Sequence, residues 1–485
     1  MKEIRLIVLW VSIAFLLSVL ALFSELKPRV KGPFALAESA FDKPWYVQSG
    51  LRIATLREKV PTVDRVVLVP DEATFLKAIE EWSLEGRWPI LIEDERYAPM
   101  FVRRFQPAEI IRLPAVKTPL PKGNKLRKAM QQAVAKAWNV RDSDFLRGKW
   151  EDLGWEPPGV AITSVSDPAW PAAVALAADR GQPLVFLEGD FGKPNDTLYL
   201  EDWWNLKAEV ERLVEKTGYA YSNLGDAIDT VTIVRQMAVK YQSPRRRNEQ
   251  LSVTDGLGRQ ENGDRWAVVG WIFGSPARAV YQAMCAIFLD PKTAMLYDGY
   301  PKSGTWQKYE MNSVARQLRQ FGMNVQLVQR PEAGVEKWRS LATQEWEFDL
   351  IFVNSSGSPE TFNVAGGDAF VPDIPTLNFP AAIHFIHSWS ATAPDNPDTV
   401  GGRWLANGAY LYVGSVHEPY LRAFVPPQLI VNRLLNSTPF LIAARQLDLP
   451  PWKITTIGDP LMIISQPRQR ISSAQKPLKH SFLRS

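Results

Sequence analysis

The chain of 485 residues has little cysteine and little excess charge. Its single thiol, Cys285, can form neither an intramolecular disulfide nor a thiolate metal cluster. Cys285 lies in an apolar stretch, which favours a buried structural thiol over a nucleophile. The 56 basic and 52 acidic residues leave a formal net charge of +4, so no broad field for a polyanion is present. The sequence therefore predicts no nucleic-acid partner.

Phosphate-binding glycine motifs are missing as well. The glycine pairs at 366–367 and 401–402 are turn signals, and neither follows a strand and opens a helix as a phosphate cradle does. We predict no cofactor. The chain has enough apolar residues to form a sizeable hydrophobic core, because 46% of its residues are hydrophobic and 18 are tryptophan. Its length suits two or three folded domains.

The first residues carry the clearest local pattern. Leu6 to Phe23 is an uncharged, mostly aliphatic run of 18 residues with Lys2 and Arg5 before it. A helix of that length with its flanks approaches the roughly 30 Å hydrocarbon thickness of a bilayer. We predict a retained transmembrane anchor with the bulk of the chain extracytoplasmic, because short basic N-termini stay in the cytoplasm. The alternative is a signal peptide cleaved after Ala21.

Pattern and composition divide the chain into five parts. The predicted divisions are an anchor or signal segment (1–31), an α/β region (32–243), a basic linker (244–262), a second α/β domain (263–465) and a basic flexible tail (466–485).

The first α/β region contains a strand, helix and strand twice. The first copy spans 66–69, 73–82 and 89–92, and the second spans 160–163, 170–180 and 183–187. Strands joined in this way pair in parallel with right-handed crossovers. Gly86 and Gly181 follow the helices, where a left-handed residue ends a helix.

These repeats resemble the cell-wall-binding repeats of bacterial surface proteins. The matching stretches are Ala172 to Leu184, which holds an Ala-rich helix and a Gly-x-Pro-hydrophobic strand, and the weaker Trp82 to Ile92. The resemblance implies an envelope polymer as a partner.

From 266 onward, short β-rich runs alternate with helical patterns. This alternation predicts a mostly parallel sheet covered by helices on both faces. Function in such sheets collects at the carboxyl ends of the strands. We therefore place the candidate site in the loops after Val353, His387 and Val413.

Those loops resemble the gingipain-type cysteine peptidases, which have a caspase-like fold. Family members carry a catalytic His in a His-Gly turn, a catalytic Cys after the next strand, and later a Gly-Ser strand end and a Gly-Asp-Pro. Here the four places read Ser356-Gly357, Ser388, Gly414-Ser415 and Gly458-Asp459-Pro460. The family's imidazole and thiolate are both missing from their places. The resemblance thus implies a peptidase-like domain without its dyad.

Two enzymatic alternatives remain open at this stage. Ser388 could act as a nucleophile with His387 or His417 as base, and Glu418 or Asp368 could orient that base. Ser356 is a further candidate hydroxyl. Alternatively, three histidines, His384, His387 and His417, together with Glu418 could hold a metal. Regular strand geometry places His384 and His387 on opposite faces, so we expect them to be structural.

The sequence as a whole predicts a membrane-anchored, extracytoplasmic binding or scaffold protein with a catalytically degenerate, caspase-like domain. Its expected partner is a protein of a membrane or surface assembly, or an envelope polymer. The alternative is a serine-type or metal-assisted hydrolase.

Overall fold

A computed structural model describes residues 31–246, 248–447 and 452–478. The predicted anchor at 6–23 lies outside these residues, so it stays a prediction. Across the three described ranges, no helix is both long enough and apolar enough to cross a bilayer.

The chain alternates between strands and helices along its length. The strands are β1 (Thr62–Val63), β2 (Arg65–Val69), β3 (Ile90–Ile92), β4 (Glu109–Arg112), β5 (Gly159–Thr163), β6 (Leu184–Phe186), β7 (Thr197–Leu198), β8 (Thr230–Val234), β9 (Lys240–Gln242), β10 (Gln250–Ser252), β11 (Val268–Ile272), β12 (Thr293–Asp298), β13 (Asn324–Gln329), β14 (Leu350–Asn354), β15 (Ser356–Gly357), β16 (Thr361–Val364), β17 (Gly367–Phe370), β18 (Ala381–Ile386), β19 (Ala409–Ser415), β20 (Ile454–Ile457) and β21 (Arg470–Ile471). The α-helices are α1 (Trp45–Lys59), α2 (Glu72–Ile79), α3 (Tyr97–Phe105), α4 (Asn124–Lys136), α5 (Leu146–Leu153), α6 (Trp170–Arg180), α7 (Leu200–Glu215), α8 (Val253–Gly256), α9 (Pro276–Phe288), α10 (Asn312–Gln320), α11 (Val335–Ala342), α12 (Val400–Ala406), α13 (Pro427–Leu435) and α14 (Phe440–Ala443).

A ten-stranded sheet forms the centre of the molecule, in the order β13-β12-β14-β18-β19-β20-β11-β8-β5-β6. Every neighbouring pair is parallel except β19 and β20. The expected mostly parallel sheet is confirmed. Because the direction reverses once, the five strands from β13 to β19 end at one edge and the five from β20 to β6 end at the other.

This sheet crosses the predicted domain boundary. β5, β6 and β8 come from the first α/β region, and β8 pairs in register with β11 from Val268↔Thr230 to Ile272↔Val234. Residues 250–256 of the predicted linker form β10 and α8. The stretch 244–262 therefore does not separate two sheets, because strand pairing continues on both sides of it.

The two predicted strand-helix-strand copies are both present but lie in different sheets. β2 and β3 pair in parallel in a small sheet of order β3-β2-β4, whereas β5 and β6 belong to the large sheet. Gly181 adopts φ 58° after α6, as expected of a helix-ending glycine. Gly86 does not have this role, because α2 already ends at Ile79.

An alanine-rich helix links these layers. All 11 residues of α6 are buried, and the helix packs against α9 and α4. Small side chains let helix backbones approach closely. The alanine-rich composition of α6, which resembles a cell-wall-binding repeat, therefore serves packing in the interior.

The described part of the basic tail is ordered. β21 pairs in parallel with β1, and the guanidinium of Arg468 lies 2.5 Å from the carboxylate of Asp179. Residues 466–478 therefore pack on the domain, contrary to a flexible tail, because a buried carboxylate attracts Arg468. Residues 479–485 lie outside the described chain.

Candidate functional site

The three loops predicted to form the site follow three neighbouring strands. β14, β18 and β19 are adjacent and parallel, so their carboxyl ends meet at one edge of the sheet. Ser356 follows β14, Ser388 follows β18, and His417 follows β19. The expectation that these loops share one edge is confirmed.

His387 points into the protein beside a small hairpin. The residue is 1% exposed, and its Nε2 atom lies 2.7 Å from the carbonyl oxygen of Thr361. A carbonyl only accepts, so Nε2 carries the proton and donates it. A Cβ on Gly357 would lie 2.7 Å from the same nitrogen, so the hairpin backbone closes over it. Burial lowers the pKa of His387 to about 4, which keeps the ring neutral at pH 7.

Ser388 is half-buried and precedes a sharp change of direction. Trp389 adopts φ 65°, and its ring packs on the imidazole of His417 with a centroid distance of 4.0 Å. In the described chain the Ser388 hydroxyl makes no hydrogen bond to the ring of His387 or His417. A hydroxyl nucleophile needs such a bond to be activated. The structure brings these groups to one edge but does not pair them.

His417 uses its own ring to stabilise the loop after β19. Its Nδ1 accepts a hydrogen bond of 2.8 Å from the backbone nitrogen of Glu418, so Nδ1 is not free to act as a base. Burial, followed by the positive charge of Lys453, lowers the pKa of His417. The Glu418 carboxylate accepts from the Tyr420 nitrogen at 3.3 Å instead of orienting the ring.

The remaining polar candidates belong to the β15–β17 hairpin sheet. Ser356 is exposed and stands opposite Asn363. Asp368 accepts a hydrogen bond of 3.0 Å from the Asn363 side chain. Asp368 thus holds the hairpin and does not orient an imidazole.

The three candidate metal-binding histidines do not converge. His384 is fully buried against Phe352 and Phe424, whereas His387 packs against Phe385. This separation is the one expected for two strand residues with odd spacing. Among the described residues, no group of three or more His, Cys, Asp or Glu side chains could hold a metal ion.

Cys285 lies in α9, away from this edge. The thiol is fully buried, and burial raises its pKa well above the usual value. A protonated, inaccessible thiol cannot act as a nucleophile, so the expected structural role is supported by its position.

Comparison with protein-family models, curated proteins and solved structures finds no match for this chain.

A pocket that the sequence patterns do not predict lies at the same edge. Its volume is about 510 Å³. The pocket is lined by Thr305, Lys308, Tyr309, Tyr420, Leu421 and Arg422. These residues come from the loop after β12 and the loop after β19. The carboxyl-end rule would have found the first loop if it had also been applied to β12.

Two aromatic side chains and two cations define the chemistry of this pocket. Tyr309 is 5% exposed, and its hydroxyl lies 2.9 Å from the carbonyl oxygen of Leu421, which joins the two loops. Tyr420 is 63% exposed. Lys308 and Arg422 are exposed, and neither forms an ion pair with any residue of the described ranges. Part of the site is therefore apolar and rigid, and part is positively charged.

Proposed function

We propose that this chain is a membrane-anchored, extracytoplasmic binding or scaffold protein with a caspase-like, catalytically degenerate domain. One observation carries the proposal. The imidazole of His387, at the carboxyl edge of the sheet, donates Nε2–H to the Thr361 carbonyl beneath the backbone of Gly357, and no nucleophile among the described residues is paired with it. A general base must reach the proton that it removes, and this ring is held in another direction.

The strand arrangement supports the caspase-like part of the proposal. Five parallel strands, β13-β12-β14-β18-β19, are bordered by the antiparallel β20. Ser356-Gly357 and Ser388 follow the third and fourth of these strands along the chain, at the places where gingipain-type peptidases carry His-Gly and Cys. This arrangement supports a domain in which the family's positions carry other residues, as in a fold retained for binding.

The anchored location rests on the apolar run at 6–23 and on the basic residues before it. The described domain begins soon afterwards, with α1 starting at Trp45. A short connection of this kind would hold the folded part close to the membrane surface, where a partner in the same assembly would be within reach.

The rival function is a serine-type or metal-assisted hydrolase using Ser388. Full-length protein in detergent should be treated with a fluorophosphonate probe, and bound partners should be captured from solubilised membranes in parallel. We expect no labelling of Ser388, a partner in stoichiometric amount, and an intact N-terminal peptide. Ser388→Ala and the exposed control Ser222→Ala should then behave alike. Labelling that Ser388→Ala abolishes and Ser222→Ala leaves unchanged would establish the hydrolase instead.

A further inference from the structure

We infer that the pocket between the loops after β12 and β19 binds a short acidic peptide segment that also carries an apolar side chain. This inference rests on the proposed binding function and names the class of its partner. It follows from the two cations of the pocket, Lys308 and Arg422, and from the apolar floor formed by Tyr309 and Leu421.

The charge of the pocket selects an anion. Lys308 and Arg422 come from different loops, and no carboxylate is among the six lining residues. Neither cation forms an ion pair with a residue of the described ranges. A ligand carboxylate could therefore bind them without first displacing a carboxylate of the protein. The guanidinium of Arg422 can bind a carboxylate through two parallel N–H groups, and the ammonium of Lys308 adds a point charge.

The floor of the pocket selects an apolar group. The buried ring of Tyr309 and the side chain of Leu421 form its apolar part, while the exposed ring of Tyr420 stands beside them. A volume of about 510 Å³ falls within the range in which proteins enclose small ligands and side chains. Because the Tyr309 hydroxyl is bonded to the backbone of the opposite loop, the floor is already formed before any ligand arrives.

The number of cations favours a peptide over the other anionic partners. A nucleic acid is held by a stripe of basic residues along its phosphates, and an anionic bilayer attracts clusters of about four to eight. The pocket has two cations, on a chain whose basic and acidic residues nearly balance at 56 and 52. One or two carboxylates satisfy this site, which is the charge of a short acidic segment.

The test measures binding to full-length protein in detergent by fluorescence anisotropy. The probe is a labelled acetyl-Glu-Phe-Glu-Leu-Glu amide, and its counterpart has glutamine at every glutamate. We expect the acidic probe alone to bind, and binding to weaken as salt is added. Lys308→Gln and Arg422→Gln should each weaken binding by about threefold to fivefold, and the double variant by about tenfold or more. Lys128→Gln and Arg141→Gln, which change exposed cations on another part of the molecule, should have no effect.

The outcomes separate this inference from the proposed function. Equal binding of both probes, or full binding by the double variant, overturns the acidic-peptide site while a captured membrane partner would still support the binding function. Competition by inorganic phosphate at the level of the peptide, or binding only to vesicles of anionic lipid, overturns the choice of a peptide. Labelling of Ser388 by a fluorophosphonate overturns the proposed function itself, whatever the pocket binds.

Discussion

Three guanidinium groups surround the carboxylate of Asp255 in the interior beside β20. The carboxylate lies 2.9 Å from Arg259, 2.5 Å from Arg265 and 2.9 Å from Arg445. Burial by itself would raise the pKa of Asp255, but the attraction of Arg265, Arg445 and Arg259 outweighs it and lowers the pKa to about 2. We expect Asp255→Asn to be among the most destabilising single substitutions in this chain.

The magnitude follows from the ionisation of this carboxylate. A fall from an unfolded pKa of about 3.9 to about 2 corresponds to roughly 2.6 kcal/mol of stability at pH 7. Because the folded pKa is the lower one, this stability is present above pH ~4 and is lost as the pH falls towards ~2. Asparagine also removes the buried carboxylate that these three guanidinium groups share, so the expected total is about 3–5 kcal/mol.

Urea unfolding followed by tryptophan fluorescence measures this effect, because the ring of Trp452 lies 4.7 Å from the guanidinium of Arg259. Asp255→Asn should lower the urea midpoint without changing the slope. The control is Glu209→Gln, which removes an exposed ion pair with Arg212 and should leave the urea midpoint nearly unchanged. If the two variants unfold at the same urea concentration, the Asp255 cluster does not stabilise the fold as argued.

Three further substitutions test other parts of the structure. Neither ring nitrogen of buried His384 has a hydrogen-bond partner in the part of the chain that the structure describes, so His384→Leu should raise the free energy of unfolding by about 1–2 kcal/mol. A lower melting temperature would contradict this. Burial raises the pKa of Asp229 to about 7, so the folded state holds this proton more tightly, and the stability that this carboxyl contributes is lost as the pH rises from about 4 to about 7. In unfolding midpoints measured across that range, Asp229→Asn should remove this loss, so the stability of the variant should rise more, or fall less, with pH than that of the wild type. An equal pH dependence of the two proteins would refute the assignment. A Cβ on Gly357 would lie 2.2 Å from a backbone oxygen, so Gly357→Ala should destabilise the chain by about 1–3 kcal/mol. Gly148→Ala, which meets nothing within 4 Å, is its thermal-unfolding control.

Local sequence pattern was sufficient to predict helices and strands and to predict that strands joined through a helix run parallel. The helix at Trp170–Arg180 is predicted and found with the same bounds, because helical periodicity is a property of neighbouring residues. Strand-helix-strand connections are parallel for reasons of chirality that hold in any context. The loops after Val353 and His387 lie at one edge of the sheet because the strands that precede them are parallel.

Tertiary structure decided which strands pair and where side chains point. The joining of β8 to β11 across the predicted boundary depends on long-range burial, which local periodicity does not encode. The ring of His387 binds a carbonyl 26 residues away, at Thr361. The pocket unites Tyr309 with Leu421, which are 112 residues apart. Residue types and their spacing could therefore identify the edge of the sheet at which the candidate site lies. The hydrogen-bond partner of each side chain, however, depends on distant backbone segments that only the folded structure places beside it.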